Sequence, residues 1–324
     1  MYKLSTLLSG MALGLAALTN AVAADPAYPE KTVKIVVPFS PGGQFDTVAR
    51  LLAKFATDSL KQTVMVENIT GGGGNIGAAR VSNSAPDGYT LLMLGGNHTI
   101  SKSLYAKPGY DVVTAFSPIS MVSISPHVIL ASTALPVTSF AQLKEYSKRN
   151  PNQLNYGTPG MGSSMHLVFE MIKANFGLEA THVPYRGGAQ ALTDLSANQI
   201  QLGVVAVGPA MDLIKNGRAK PLAVTSKARS KVLPDVPAFS EIGFPGLDTG
   251  SWMGLVGPKD MPPAIVNRWN TLIHTFLEDP EVSEKLDNLG FQKEPTTPAE
   301  FQKVIESEVE VYSKIVQKNN ITIN

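Results

Sequence analysis

The sequence predicts an α/β protein with two lobes, each built on a mainly parallel β-sheet. Strand and helix patterns alternate along the chain, and this alternation restarts near residue 127. Each lobe also contains a strand that leads through a glycine-rich turn into a helix. Alternation of this kind is typical of parallel sheets with helical crossover connections.

The first lobe begins with strands and one amphipathic helix. Short runs rich in β-branched or apolar residues predict three strands, at 32–38, 63–67 and 89–94. Apolar residues at the spacing of one helical face predict a helix after the first strand: Val48, Leu51, Leu52 and Phe55. We expect residues 71–77 to form a glycine-rich loop and residues 86–88, Pro-Asp-Gly, to form a turn.

The second lobe repeats the pattern. The predicted strands are 127–132, 154–157 and 202–207, and a further strand follows at 252–257. The predicted helices are 139–149, about 189–198, one after Pro209, long C-terminal segments from residue 263, and one whose apolar face is Met165, Val168, Phe169, Ile172 and Phe176. Gly177 suits the position that ends this last helix.

The two strand–glycine–helix units, residues 33–55 and 154–176, suggest how a ligand is held. A helix N-terminus carries unpaired N–H groups and about half a positive charge, so it attracts a carboxylate or phosphate. Two such turns in successive lobes suggest a pincer around one anion. The alternative is ordinary loop geometry, because open α/β sheets place such loops at the carboxyl ends of their strands anyway.

The charge composition excludes several function classes. Of 324 residues only 16% are charged, and the formal net charge is +1. A near-neutral chain without a basic stripe is a poor nucleic-acid binder. The sequence contains no cysteine, which excludes disulfides, thiolate metal sites and thiol catalysis.

The N-terminus is typical of a cleavable secretory signal. Lys3 supplies the positive charge, residues 10–18 form a short apolar core, and Ala21-Val22-Ala23 is a small-residue cleavage site. The apolar core is much shorter than the roughly 20 residues of a spanning helix. We therefore expect cleavage near Ala23 and export, most simply to a bacterial periplasm. Cleavage removes one of the 27 basic residues, which then match the 26 acidic ones.

Several motifs together resemble one family over nearly the whole mature chain. They include Tyr28-Pro29, Pro41-Gly42-Gly43 with Asp46, 71–77, 85–89, 157–160 with Ser163 and His166, 183–185 with Gly187-Gly188, 234–237 and Trp252. In this order they are similar to the Bug receptors, the extracytoplasmic solute-binding proteins of tripartite tricarboxylate transporters.

The resemblance implies a two-domain periplasmic binding protein that closes like a flytrap, with mainly parallel sheets and crossover segments. Domain 1 would comprise residues 24–124 and 249–324, and domain 2 residues 125–248. The protein would perform no chemistry and use no cofactor or metal. It would capture a small carboxylate as a monomer and deliver it to membrane permease subunits.

The resemblance also implies the ligand-binding residues. Family members hold the carboxylate mainly with backbone amides and hydroxyls of two loops. Carried over, the expected contacts are Gly42, Gly43, Gln44, Phe45, Asp46, Asn97, Pro159, Gly160, Gly162, Ser163, Ser164, His166, Val207 and Gly208.

Three of these positions have a second interpretation. Gln44 and Phe45 replace the small residues usual in the family, and Phe45 either lines the cleft or packs on the core. Asp46 either caps the first helix or faces the cleft, and capping is favoured because a carboxylate repels an anionic ligand. His166 is also interpretable as a polar residue in the first turn of a helix.

Other function classes fit the sequence less well. Gly72, Gly74 and Gly77 match a dinucleotide fingerprint formally, but they follow the second strand instead of the first. An exported α/β hydrolase or metal-dependent enzyme remains the alternative. No nucleophile elbow is present, and His166 and Glu170 form only half of a metal site. Arg186, at a turn, is a candidate ligand partner or a solvated side chain.

Overall fold

The computed structural model describes residues 28–185, 187–245, 247–318 and 321. The predicted signal segment, with Lys3 and Ala23, and Arg186 lie outside the described residues. Within these ranges no helix is long and apolar enough to cross a membrane.

Ten strands and ten helices make up the described part of the chain. The strands are β1 (Val33–Val37), β2 (Val64–Asn68), β3 (Thr90–Gly95), β4 (Phe116–Ala131), β5 (Asn155–Thr158), β6 (Thr181–Pro184), β7 (Leu202–Ala206), β8 (Lys220–Val224), β9 (Gly250–Pro258) and β10 (Gln292–Lys293). The helices are α1 (Gln44–Leu60), α2 (Asn75–Ser82), α3 (Gly96–Leu104), α4 (Phe140–Arg149), α5 (Ser164–Phe176), α6 (Gly188–Ser196), α7 (Val207–Lys215), α8 (Pro263–Glu278), α9 (Pro280–Asn288) and α10 (Pro298–Lys318).

Strand β4 joins two sheet halves. Its first part pairs with β9 and β10, and its last part, from His127 to Ala131, pairs with β7 and β8. The strand order through the connected sheet is β2-β1-β3-β9-β4-β7-β5-β6. We call the half that contains β1, β2, β3, β9 and β10 the first lobe, and the half that contains β5 to β8 the second lobe. The outer strands pair in parallel, and the pairs around β4 and β9 are antiparallel.

Each lobe has a separate hydrophobic core. In the first lobe, the β-branched residues of β1 are buried against α1, and Phe55 of α1 packs on Phe276 of α8 with ring centroids 5.5 Å apart. In the second lobe, Phe169 of α5 packs on Tyr156 of β5 at 4.4 Å. Gly177 ends α5 in the left-handed conformation, with φ of 64°.

Helix α10 connects the lobes. Its buried Tyr312 clusters with Ile100 of α3, in the first lobe, and Leu167 of α5, in the second. The Ser103 and Ser313 hydroxyl oxygens also lie 2.6 Å apart, between α3 and α10. These contacts place α3 and α5 side by side under one helix.

Besides the additional strands β6 and β10, four elements differ from the sequence prediction. The glycine-rich segment forms a 3₁₀ turn, Gly72–Gly74, and then α2, and α3 follows β3 directly. Strand β8 is additional, and β4 begins at Phe116 instead of residue 127. Serines and two prolines interrupt the apolar pattern of early β4, where two register shifts accommodate them.

Candidate ligand-binding site

Strand direction brings four helix N-termini together. Strand β3 is antiparallel to β9, which is antiparallel to β4, so β1 and β3 run in the direction of β4, toward the second lobe. Strands β5 and β7 run against β4, toward the first lobe. Helices α1, α3, α5 and α7 begin at or shortly after the ends of these strands. Their N-termini, with their partial positive charge, therefore face one another between the lobes.

The first loop, residues 38–43, leads into α1 without a side-chain cap. Gly43 is the N-cap residue and has no side chain to accept the free N–H groups of the first turn. Gly42 adopts a φ of 77°, which favours glycine, and both glycines are exposed. The first turn of α1 therefore keeps N–H donors for an anion, and Gln44, half-buried, begins this turn.

Asp46 holds the first loop in shape. Its carboxylate accepts hydrogen bonds from the Gly42 N–H at 2.9 Å, Arg50 Nε at 2.8 Å and Asn68 Nδ2 at 2.9 Å. Burial alone would raise the pKa of Asp46, but these donors lower it to about 2. The carboxylate therefore holds the first loop and is not free, although it does not form the side-chain cap of α1 that the sequence favours. A direct ligand contact of Asp46 stays a prediction.

Replacing Asp46 by alanine should destabilise the protein. We expect Asp46→Ala to lower the free energy of unfolding by about 2–4 kcal/mol, because three donors lose a buried acceptor. Urea denaturation measures this loss, and Asp58→Ala, at an exposed position of the same helix, is the control. Unchanged stability with a hundredfold loss of ligand affinity would contradict the loop-holding role.

Phe45 packs on the first lobe. Its ring centroid lies 4.6 Å from that of Phe39, and a Cβ atom added at Gly95 would lie 2.4 Å from its Cζ. The side chain is half-buried against the core cluster. The ring therefore has a fixed position beside the end of β3, with one part left exposed.

The start of α3 supplies one amide and one buried imidazole. Asn97 is half-buried, and within the described ranges its side chain has no hydrogen-bond partner. His98, which the sequence analysis missed, is fully buried and accepts the Gly95 N–H at 3.2 Å. Burial lowers the pKa of His98 to about 4, so the ring is neutral. Asn97 is thus the free polar group of this helix terminus.

The second loop, residues 158–163, is shaped by its own hydroxyls. Ser163 Oγ accepts the His166 N–H at 3.3 Å and donates to the Gly160 carbonyl at 2.8 Å. Gly160 and Gly162 have φ values of 158° and 73°. Because the Ser163 hydroxyl is occupied, α5 offers mainly the N–H groups of Ser164 and Met165 to an anion. Pro159 lies half-buried between Thr158 and Gly160.

His127 lies where the lobes meet. It is fully buried in β4, and its Nε2 lies 3.2 Å from Ser251 Oγ of β9 and 3.5 Å from Ser164 Oγ of α5. Burial lowers its pKa to about 3. Its Nδ1 has no hydrogen-bond partner in the part of the chain described, so Ser164 and His127 lack the acid of a catalytic triad there. His127 was not predicted as a site residue because it begins a predicted strand, 127–132, and belongs to no motif.

Val207 and Gly208 begin α7 at a contact between lobes. Val207 is fully buried. A Cβ atom on Gly208 would lie only 2.0 Å from the Leu289 carbonyl oxygen, and one on Gly290 would lie 2.7 Å from Gly208 Cα. Gly208 therefore lets the backbone of the second lobe touch the α9–β10 turn of the first lobe.

The predicted contact residues lie at the strand ends where the two lobes face each other. The first loop, Asn97, the second loop and the start of α7 all lie at strand ends that face the other lobe. Among the described residues, no group of three or more acidic or histidine side chains is arranged to hold a metal. The arrangement offers backbone N–H groups and one side-chain amide, which suit an anion.

Known proteins share this architecture. The sequence profile described as "Tripartite tricarboxylate transporter family receptor" matches residues 48–321. The periplasmic binding protein BugD is 34% identical, with a TM-score of 0.77 over 91% of this chain and 99% of BugD.

Two further solved structures contain carboxylates. Rpa4515 of R. palustris, solved with adipate, is 33% identical, with a TM-score of 0.81 over 91% of this chain and 99% of that chain. MatC of Rhodopseudomonas palustris, solved with bound malate, is 30% identical, with a TM-score of 0.76 over 89% and 100%. These similarities confirm the predicted fold class. The chain belongs to the TctC family, the solute-binding receptors of tripartite tricarboxylate transporters, and is a receptor instead of an enzyme.

Proposed function

We propose that this protein captures a small carboxylate between its two lobes in the periplasm, after signal cleavage near Ala23, and delivers it as a monomer to permease subunits of a tripartite tricarboxylate transporter. The observation that carries the proposal is the set of helix N-termini that face one another between the lobes. The ligand would favour the closed state through contacts with both lobes, which the proposed domains 24–124 with 249–324 and 125–248 provide.

The proposed contacts are backbone N–H groups of the first turns of α1 and α5, together with the Asn97 amide. Adipate and malate in the structures of two relatives support a carboxylate as the ligand. Adipate and malate have carbon chains of different length, so the carboxylate that this protein binds has to be identified by experiment. A sensory partner in place of the permease would use the same pocket.

A carboxylate screen tests the proposal. We expect at least one of adipate, malate, citrate and aromatic carboxylates to raise the free energy of unfolding, by about 2.7 kcal/mol at a hundredfold excess over Kd. Calorimetry on the hits should show only a modest salt dependence, because buried dipoles are screened less than exposed charges. A steep decrease of the affinity with salt would indicate that Arg186 or another cation contacts the ligand. Turnover of a carboxylate ester would contradict the proposal that the protein is a receptor.

A further inference from the structure

Two imidazole rings stack behind the second loop. His166, in the first turn of α5, and His182, in β6, have ring centroids 4.0 Å apart and planes inclined by 14°. Tyr156 of β5 stacks on His182 at 4.8 Å. His166 was among the expected ligand contacts, and His182 was not.

Each ring holds one side of the second loop. The Gly162 N–H donates to His166 Nδ1 at 3.2 Å. His182 Nε2 lies 2.7 Å from Thr158 Oγ1, which in turn donates to the Gly160 carbonyl at 3.2 Å. His166 can accept the Gly162 N–H only while its Nδ1 carries no proton. The shape of the loop therefore depends on an uncharged His166.

An ion pair lies beside the rings. Lys173 donates to Glu170 Oε1 at 2.8 Å, and Tyr156 donates to the same oxygen at 2.5 Å. The Glu170 and Lys173 side chains are only 17% and 21% exposed. Glu170 favours a charged imidazole, and Lys173 opposes one, both by its own charge and by occupying the carboxylate. Burial lowers the pKa of both histidines, that of His182 to about 3.

We propose that Lys173, by neutralising Glu170, keeps the stacked rings of His166 and His182 uncharged, and that this uncharged pair holds the second loop in its ligand-binding shape. His166, His182 and Lys173 are then positioning residues for the proposed carboxylate site, on which this inference rests. Without Lys173, the free Glu170 carboxylate would stabilise a proton on the rings. The proton would occupy Nδ1 of His166 and break its hydrogen bond to Gly162.

Calorimetry with adipate as the probe, at about pH 8 and about pH 6, tests this inference. Adipate stays largely ionised over this range. We expect wild-type affinity to change less than about twofold, and that of Lys173→Met to fall about tenfold toward the lower pH. Lys173→Arg keeps the charge and should behave as wild type. The double variant Glu170→Gln with Lys173→Met should restore the flat profile, because no free carboxylate remains beside the rings.

The control removes a similar pair in the same lobe. Lys148 and Glu145 also lie three residues apart on a helix, at 3.6 Å, but both are exposed. Lys148→Met should therefore leave the profile flat. A flat profile for Lys173→Met, or an equal pH dependence of Lys148→Met, overturns the inference.

A measurement without ligand separates this inference from the proposed function. Proton NMR of the ligand-free protein follows the imidazole Hε1 signals between about pH 8 and about pH 6. We expect the His166 ring to begin titrating in this range in Lys173→Met and to remain neutral in the wild type and in the double variant. If no carboxylate binds the wild type, the proposed function fails, and the NMR titration still decides whether Lys173 controls the pair.

Discussion

Gly208→Ala should weaken carboxylate binding by about 10- to 100-fold. The added Cβ atom would lie 2.0 Å from the Leu289 carbonyl oxygen, far inside van der Waals contact, so the lobes must separate at this point. The opposing group is backbone, and the Gly290 carbonyl accepts a hydrogen bond from Ser125 Oγ of β4 at 3.2 Å, so the turn cannot easily move away. Overpacking of this kind costs about 1–3 kcal/mol, and 1.4 kcal/mol corresponds to tenfold in affinity.

The loss should appear in affinity more than in stability. Each lobe has its own core, and an open arrangement relieves the clash without unfolding either lobe. Calorimetry with a carboxylate hit and urea denaturation of the ligand-free protein measure the two effects. Gly188→Ala is the control, because Gly188 begins α6 in the same lobe and its Cβ would meet only ordinary contacts, at 3.6 Å or more. If Gly208→Ala leaves the affinity unchanged but strongly lowers the stability, the added Cβ atom does not act by separating the lobes, and the prediction is wrong.

The sequence predicted the two loops well because their signals are local. A strand, a glycine-rich turn and an amphipathic helix are neighbours in sequence, and β1–α1 and β5–α5 form as expected. The sequence predicted a capping role for Asp46, whereas its carboxylate accepts the Gly42 N–H of the preceding loop and α1 has no side-chain cap. The role of Gly208 was not predictable, since it depends on Leu289 and Gly290, which are distant in sequence.

The missed residues and elements share one physical cause. His127 and His182 gain their environments from strands that pair only in the folded sheet, and His98 packs beside Phe39 and Tyr110, which are distant in sequence. An isolated histidine gives no motif. Helix α3 begins with glycine, asparagine and histidine, which are poor helix formers, and is held by the contact of Ile100 with Leu167 and Tyr312. Tertiary contacts override local propensity at these places, which lie next to the proposed ligand site.

The free energy of unfolding should decrease as the pH falls below about 6.5. His98 and His127 are fully buried, and burial lowers their pKa values to about 4 and about 3. In the unfolded chain an imidazole binds a proton near pH 6.5, whereas the native rings remain neutral well below this pH. The unfolded state therefore binds more protons, and the stability present above pH 6.5 is lost as the pH falls toward the native pKa values. At pH 5 this costs about 2 kcal/mol for each of the two rings.

Acids with raised pKa values act in the opposite direction, above all Glu308, so the test is a comparison of variants. Burial raises the pKa of Glu308 to about 7, although a hydrogen bond from Thr99 Oγ1 at 2.9 Å opposes the increase, and its protonation stabilises the native state as the pH falls from about 7 toward 4.5. His127→Gln leaves Glu308 unchanged and removes one titrating ring. Urea denaturation at about pH 7.5 and pH 5 measures how much the free energy of unfolding decreases on acidification. We expect this decrease to be about 2 kcal/mol smaller in His127→Gln than in the wild type. Equal decreases in His127→Gln and in the wild type would show that His127 is not held neutral by burial.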